Sequence, residues 1–136
     1  MTTRISIHTS GRGLHEITRE VQAVVRKANC RAGLCTIIIQ HTSASLLIQE
    51  NADPSARQDL EAWLTRFVPE NDPVYTHTLE GADDMPAHIK AALTATTLSI
   101  PIIDGRLGLG TWQGLYLWEH RRRGAARNCL VNVLAG

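Results

Sequence analysis

The sequence lacks long hydrophobic runs and has almost no net charge, and each deficit excludes a class of protein. No segment approaches the ~18 consecutive apolar residues of a membrane span. The first ten residues, MTTRISIHTS, contain no apolar core of a signal peptide. Fourteen basic and 13 acidic residues give a formal net charge of +1, so no overall field attracts nucleic acid or an anionic membrane. We expect neither as a partner.

Cysteine is also scarce. The chain has three, Cys30, Cys35 and Cys129, an odd number that does not suit a disulfide framework. The spacing of Cys30 and Cys35 is looser than in a usual zinc knuckle, and small buried hydrophobes are the alternative interpretation. We therefore expect a reduced, cytoplasmic protein.

The 136 residues, 43% of them hydrophobic, are typical of one globular domain, which we assign to residues 1–136. Apolar periodicity predicts helices at 15–29, from Asp53-Pro54 to about 67, and from Asp83 or Asp84 to about 94. Alternating or β-branched runs predict strands at 3–9, 34–40, 44–50, 99–103, 110–120 and 128–134. This order predicts an α+β fold, a mostly antiparallel β-sheet sandwich with two to three helices.

The segment from Thr76 to Lys90, THTLEGADDMPAHIK, holds two histidines, three carboxylates and a lysine within fifteen residues. Its histidines and carboxylates are groups that coordinate a divalent cation or transfer a proton near neutral pH. Asp84 and His88 are four residues apart and would share one face of a helix. Helix capping explains one aspartate but not both, nor His88. His77 and Glu80 are the weaker candidates for the site.

Two more histidines are predicted at strand ends. His41 follows the strand at 34–40, and the Ser43 hydroxyl beside it suits an oxyanion or an imidazole nitrogen. The alternative is a histidine satisfied within a turn. His120 ends the strand at 110–120. Three histidines, His41, His88 and His120, on one divalent ion would form a hydrolase-type or lyase-type metal centre with an open position.

The run from Gly105 to Arg121 combines glycines with aromatic residues. Strand alternation places Trp112, Tyr116 and Trp118 on one face, which suits a ring-binding floor or a subunit interface; core packing is the commoner use. The glycines match neither a dinucleotide fingerprint nor a P-loop. A backbone nest for phosphate, assisted by Arg106 and Lys90, is compatible with the pattern.

These runs together resemble the YjbQ-like family, whose members are often labelled secondary thiamine-phosphate synthase enzymes. The resemblance covers nearly the whole chain. It rests on His41–Ser45, Glu50-Asn51 with Asp53-Pro54, Glu80-Gly81, Asp83–Lys90, Gly105–Leu107, Gly110–Gly114 and Glu119–Arg121. It implies a homotrimer, a histidine-lined metal or anion site near the subunit boundary, and a weak or side activity that joins a pyrimidine pyrophosphate to a thiazole phosphate.

We therefore predict a small metal-dependent enzyme that acts on a phosphorylated metabolite, with a divalent ion such as zinc as cofactor. The predicted catalytic residues are Asp83, Asp84 and His88. The predicted substrate or phosphate contacts are Ser43, Lys90, Arg106, Thr111 and Trp112, and the predicted metal ligands are His41, His88 and His120. The alternative is a non-catalytic homotrimeric module that binds a metal or a metabolite.

Overall fold

A computed structural model describes residues 1–136 and contains eight strands and three helices. The strands are β1 (Thr2–His8), β2 (Gly13–Glu16), β3 (Gly33–Ile39), β4 (Ala44–Glu50), β5 (Thr97–Ile103), β6 (Arg106–Leu107), β7 (Gln113–Glu119) and β8 (Ala126–Ala135). The helices are α1 (Thr18–Lys27), α2 (Pro54–Phe67) and α3 (Asp84–Leu93). No helix combines the length and apolar character needed to cross a membrane.

The strands form two antiparallel sheets, which confirms the predicted α+β class. One sheet has the order β1-β8-β3-β5-β6 and the other the order β2-β7-β4. In the larger sheet Cys35 of β3 is paired with Val133 of β8 on one side and Ile100 of β5 on the other. All three side chains are buried, so this register aligns the inward-facing apolar residues of neighbouring strands.

The main hydrophobic core lies between the two sheets and includes α1. Val21 and Val25 of α1, Ile37 of β3, and Leu115 and Leu117 of β7 are all completely buried there. A smaller core, Leu14, Leu64, Val68, Tyr116 and Trp118, joins the opposite face of the three-stranded sheet to α2. Strand β7 is thus buried on both faces. The chain therefore leaves the C-terminal end of this strand inside the protein.

The helix predicted from residue 15 begins later, at Thr18, because the preceding residues form β2. Leu14 of β2 pairs with Trp118 of β7, a contact between distant segments that local periodicity does not reveal. The predicted helix end near Asn29 agrees with the structure. Asn29 has a left-handed φ of 52° immediately after the C-cap.

The aromatic stripe is divided between the core and the surface. Tyr116 and Trp118 belong to the smaller core, whereas Trp112 precedes β7 and is 66% exposed. The stripe is therefore not one continuous ring-binding floor. The three cysteines are buried and unpaired, and burial raises the pKa of the Cys35 and Cys129 thiols to about 11.

Candidate functional site

The N-terminus of α3 and the loop before it bring two histidines onto one carboxylate oxygen. Asp84 Oδ2 lies 2.7 Å from His77 Nε2 and 3.0 Å from His88 Nε2. Ligand atoms of these three residues all lie within 4.8 Å of one another. We call them the His–Asp–His cluster. His77 is about half exposed, whereas the Asp84 side chain is only 6% exposed, so the cluster is open on one side.

Arg121, two residues beyond β7, fixes the carboxylates of this cluster. Its Nη1 donates to Asp84 Oδ1 at 2.6 Å, and its Nε donates to Asp83 Oδ2 at 3.0 Å. Asp83 Oδ2 also accepts the backbone N–H of Arg122 at 3.0 Å. Asp83 stands at the N-cap position of α3 but makes no side-chain capping bond. Its carboxylate positions Arg121 instead.

The loop that enters α3 turns at Gly81, which has φ 109°, a conformation that L side chains rarely adopt. A Cβ there would lie 3.2 Å from Asp83 Oδ1. The preceding carbonyl, of Glu80, accepts a hydrogen bond from Arg121 Nη2 at 2.9 Å. Glycine at this position therefore lets the loop close on Arg121 while Asp83 remains in place.

Both ring nitrogens of His88 face hydrogen-bond acceptors. Nδ1 lies 3.0 Å from the backbone carbonyl oxygen of Thr42, and Nε2 lies 3.0 Å from the Asp84 carboxylate. A carbonyl and an ionised carboxylate have no proton to donate, so a neutral ring can give its one N–H to only one of the two. With the hydrogen on Nδ1, the lone pair of Nε2 points at Asp84, and a second proton or a cation then has to lie between Nε2 and the carboxylate.

The electrostatic surroundings keep both aspartates ionised. Burial acts to raise the pKa of Asp84, but the hydrogen bond from His77 and the charges of His88 and Arg121 outweigh it and lower the pKa. Burial likewise acts against ionisation of Asp83, and hydrogen bonds from Arg122 and Arg121 bring its pKa below the usual value. The cluster therefore presents a charged carboxylate, the form that binds a metal.

His41 is held by a buried ion pair beside the cluster. Arg127 Nη1 lies 2.8 Å from His41 Nε2, and Arg127 makes a bidentate pair with Glu119 at 2.7 and 3.0 Å. The hydroxyl of Thr9 adds a bond of 2.7 Å to Glu119. Burial, followed by the Arg127 charge, lowers the pKa of His41. Arg127 occupies the nitrogen that His41 would offer to a metal.

His120 is buried and lies outside the His–Asp–His cluster. Its Nε2 lies 2.8 Å from Ser45 Oγ, and its Nδ1 is a buried atom without a hydrogen-bond partner. Burial, followed by the charges of Lys90 and Arg12, lowers the pKa of His120 to about 3, so the ring is neutral. Lys90 is only 3% exposed. Burial and the Arg12 charge lower its pKa to about 8.

Lys90 and His120 share a cavity of about 470 Å³ between α2, α3 and the end of β7. Its wall consists of Arg12, Gly13, Glu61, Ala62, Leu64, Thr65, Arg66, Lys90, Trp118 and His120. We call it the cationic cavity. It is of the size usual for small-molecule sites.

The structure does not bring the three histidines predicted as metal ligands into one cluster. The group with ligand atoms close enough to share an ion contains His88 with His77 and Asp84, and it includes neither His41 nor His120. Of the predicted catalytic residues, Asp84 and His88 lie in the cluster, and Asp83 contacts it through Arg121. His77 has a more central place than the sequence indicates.

The predicted phosphate contacts are also dispersed. Lys90 lines the cationic cavity, whereas Arg106 lines a separate depression with Gln22 and Arg26 of α1. Thr111 and Trp112 are exposed in the turn before β7. Ser43 is buried, and its hydroxyl lies 3.0 Å from His41 Nδ1.

Sequence reasoning missed the arginines that organise these groups. Arg121 and Arg127 fix Asp84 and His41 through pairings that span 37 and 86 residues. For Arg121 the sequence offers the Glu119–Arg121 run of the family resemblance and the three arginines at 121–123. Arg12, in the cavity wall, has no such signal.

Comparison with known proteins settles the family. The family model described as UPF0047 protein YjbQ-like matches residues 3–136. The chain belongs to the YjbQ-like UPF0047 family. It is 54% identical to UPF0047 protein sll1880 of Synechocystis sp., over 93% of this chain and 86% of that protein. It is 41% identical to UPF0047 protein YjbQ of Escherichia coli O157:H7, over 95% and 94% of the two chains.

Solved structures of this family have the same fold. A YjbQ/UPF0047 protein of Clostridium acetobutylicum superposes with a TM-score of 0.89 at 33% identity, covering 97% of this chain and 99% of that one. The conserved hypothetical protein TT1486 of Thermus thermophilus superposes with a TM-score of 0.87 at 35% identity, with the same coverages of 97% and 99%. These superpositions agree with the fold described above.

Proposed function

We propose that the His–Asp–His cluster binds a divalent metal, zinc being the best match, and that the protein is a metal-dependent enzyme acting on a phosphorylated small molecule. The observation that carries the proposal is the position of His88 between two acceptors. Its Nδ1–H bonded to the Thr42 carbonyl is the arrangement that usually orients a metal-binding imidazole. It leaves Nε2 free as a ligand.

One ion explains the three converging atoms more simply than protons do. Without a metal, Asp84 Oδ2 has to accept from both histidines, and a neutral His88 cannot donate to Thr42 and Asp84 at once. Two imidazoles and one carboxylate form a usual ligand set for catalytic zinc, which retains an open position. Zinc bonds of ~2.1 Å at tetrahedral angles separate ligand atoms by about 3.4 Å. The observed 2.7 and 3.0 Å need only small side-chain rotations to reach that value.

Within this proposal the protein residues have distinct tasks. Arg121 holds Asp84 Oδ1, so that Oδ2 remains directed at the two histidines. The half-exposed side of His77 leaves an approach for substrate. A bound divalent ion would supply Lewis-acid stabilisation of phosphate oxygens. Arg121 is already paired with Asp83 and Asp84, and Arg122 with Glu70, so the bound ion would be the main source of this stabilisation.

The finer proposal is a thiamine-phosphate synthase-like transferase activity. In this substitution, a nitrogen of a thiazole phosphate forms a bond to the carbon that carries the pyrophosphate of a pyrimidine. The carbon–oxygen bond breaks, and pyrophosphate leaves with the electron pair. Charge develops on the leaving oxygen, and this is the charge that a cationic centre stabilises. A metal- or metabolite-binding module without catalysis is the alternative.

Metal content tests the cluster. The protein is stripped with EDTA, reloaded with zinc, dialysed and measured by inductively coupled plasma mass spectrometry. We expect one zinc per chain, lost in His88→Ala and in His77→Ala. His8→Ala, an exposed histidine of β1, is the matched control and should retain the metal. Equal zinc content in all variants, or none in the unmodified protein, would refute the metal centre.

Activity tests the reaction separately. The zinc-loaded protein is incubated with the pyrimidine pyrophosphate and the thiazole phosphate, and thiamine phosphate is measured by chromatography. We expect product formation that His88→Ala abolishes and His8→Ala preserves. Zinc binding without turnover on this pair or on a panel of phosphate esters would favour the binding module.

We also propose that the chain assembles as a homotrimer through the outer face of its larger sheet. Leu34, Ile38, Ile103 and Leu134 are between 39% and 65% exposed on that face. Adjacent apolar residues of this kind on a sheet face are typical of subunit interfaces. Light scattering after gel filtration should give three times the chain mass, and Ile38→Lys should lower it. A monomeric unmodified protein would refute this assembly.

A further inference from the structure

We infer that the cationic cavity is a second ligand site, distinct from the His–Asp–His cluster, which binds the phosphate group of a small molecule through Lys90, Arg12 and His120. The site goes beyond the proposed metal centre, since it shares no residue with it. Lys90 follows His88 by two residues on α3, a rotation of about 200° around the helix axis. The two side chains therefore point to opposite sides of α3.

Lys90 has a largely buried side chain and no ion-pair partner. It is 3% exposed, and no ion pair in the structure includes it. Its ammonium makes no hydrogen bond; apart from the helix backbone bonds, the residue only accepts, through its backbone carbonyl, from Thr94 Oγ1 at 2.8 Å. Its Nζ is not among the fully enclosed atoms that lack a hydrogen-bond partner, so the ammonium opens on the cavity. An anion there would give it an ion-pair partner.

Two further donors in the same wall are unsatisfied. Arg12 Nε and His120 Nδ1 are the two buried side-chain nitrogen or oxygen atoms of the structure that have no hydrogen-bond partner. Ser45 Oγ lies 2.8 Å from His120 Nε2, and a hydroxyl can donate to that nitrogen. The Nδ1 of a neutral ring then carries the hydrogen. An ammonium, a guanidinium and an imidazole N–H form a donor set suited to phosphate oxygens.

The charge of the whole wall supports an anionic ligand. Arg12, Arg66 and Lys90 contribute three positive charges, and Glu61 contributes the one carboxylate. Glu61 Oε2 already accepts the backbone N–H of Leu14 at 2.9 Å. The Nη2 of Arg12 lies 3.5 Å from Glu70, which is not part of the cavity wall. The volume of about 470 Å³ accommodates a phosphate ester larger than phosphate alone.

Phosphate binding to metal-free protein tests the site independently of the metal centre. The protein is kept in EDTA, and inorganic phosphate is titrated by calorimetry in a buffer free of other oxyanions. We expect saturable binding that Lys90→Met weakens at least about tenfold, as for loss of a charged hydrogen bond. Lys27→Met, an exposed lysine of α1, removes the same charge elsewhere and should leave the dissociation constant unchanged.

Thermal unfolding supplies a second readout that a structural lysine would not produce. Lys90→Met should raise the unfolding temperature in anion-free buffer, because it replaces a cation without an ion-pair partner, on a largely buried side chain, by an apolar chain of similar length. It should also abolish the rise that phosphate causes in the unmodified protein. No phosphate binding by the unmodified protein, or equal binding by Lys90→Met, would overturn the inference. Loss of zinc binding in the His88 variant has no bearing on it.

Discussion

Replacement of His120 by glutamine should flatten the dependence of stability on pH between 7 and 5. Burial and the charges of Lys90 and Arg12 lower the pKa of His120 in the folded protein to about 3, whereas an unfolded histidine titrates near 6.5. Between these values the unfolded chain binds a proton that the folded protein does not. The contribution of His120 to the free energy of unfolding is therefore fully present above pH 6.5, and it is lost as the pH decreases towards 3.

The magnitude follows from the two pKa values. Between pH 7 and pH 5 the unfolded state gains about 2 kcal/mol from protonation of this one side chain, and the folded state gains almost nothing. For a chain of 136 residues, the entropy of unfolding is such that each kcal/mol of lost stability lowers the unfolding temperature by about 3.5 °C. The contribution of His120 is then a fall of about 7 °C in unfolding temperature.

Urea unfolding at a series of pH values measures this contribution. Glutamine places its amide nitrogen near the position of Nε2 and so keeps a partner for Ser45, while it removes the titration. The unmodified protein should lose about 2 kcal/mol more than His120→Gln between pH 7 and pH 5. The two proteins are compared by the slopes of their free energy of unfolding against pH, because the substitution also changes stability at pH 7. Parallel curves for the two proteins would refute the assignment of a neutral, buried imidazole.

Three further substitutions test the groups around the cluster. Glu119→Gln leaves the buried Arg127 cation unpaired and should cost about 3–5 kcal/mol, visible as a fall of 10 °C or more in calorimetry; a change below 1 kcal/mol would contradict the buried pair. Arg121→Met frees Asp84 and should weaken zinc binding about 10- to 100-fold in a competition titration, whereas unchanged affinity would show that the arginine does not orient this carboxylate. Gly81→Ala forces a side chain into φ 109° and should destabilise the fold by more than about 1 kcal/mol in urea unfolding; equal midpoints would remove the argument for that turn.

Most of the fold follows from local patterns in the sequence. The β-branched run around Ile37 and the Asp53-Pro54 pair predict β3 and the start of α2, where Asp53 accepts the backbone N–H of Ser55 at 2.9 Å. These signals are local, since strand propensity and capping depend on adjacent residues. Strand β2 escapes the pattern because it exists through pairing with β7, a hundred residues away in the chain.

The candidate site was predictable only in part for the same reason. Asp84 and His88 follow from spacing on one helix face. His77 precedes the helix in an irregular loop, where no periodicity predicts the direction of a side chain. Membership of His41 and His120 in a metal centre followed from the chemistry of histidine, but their nitrogens contact Arg127 and Ser45 instead.

The most direct test of the metal centre is anomalous diffraction at the zinc edge from crystals of the zinc-loaded protein. The proposed metal centre predicts one strong peak per chain, ~2.0–2.2 Å from His77 Nε2, His88 Nε2 and an oxygen of Asp84. A peak at His41 or His120, or the absence of any peak in zinc-loaded crystals, would contradict it.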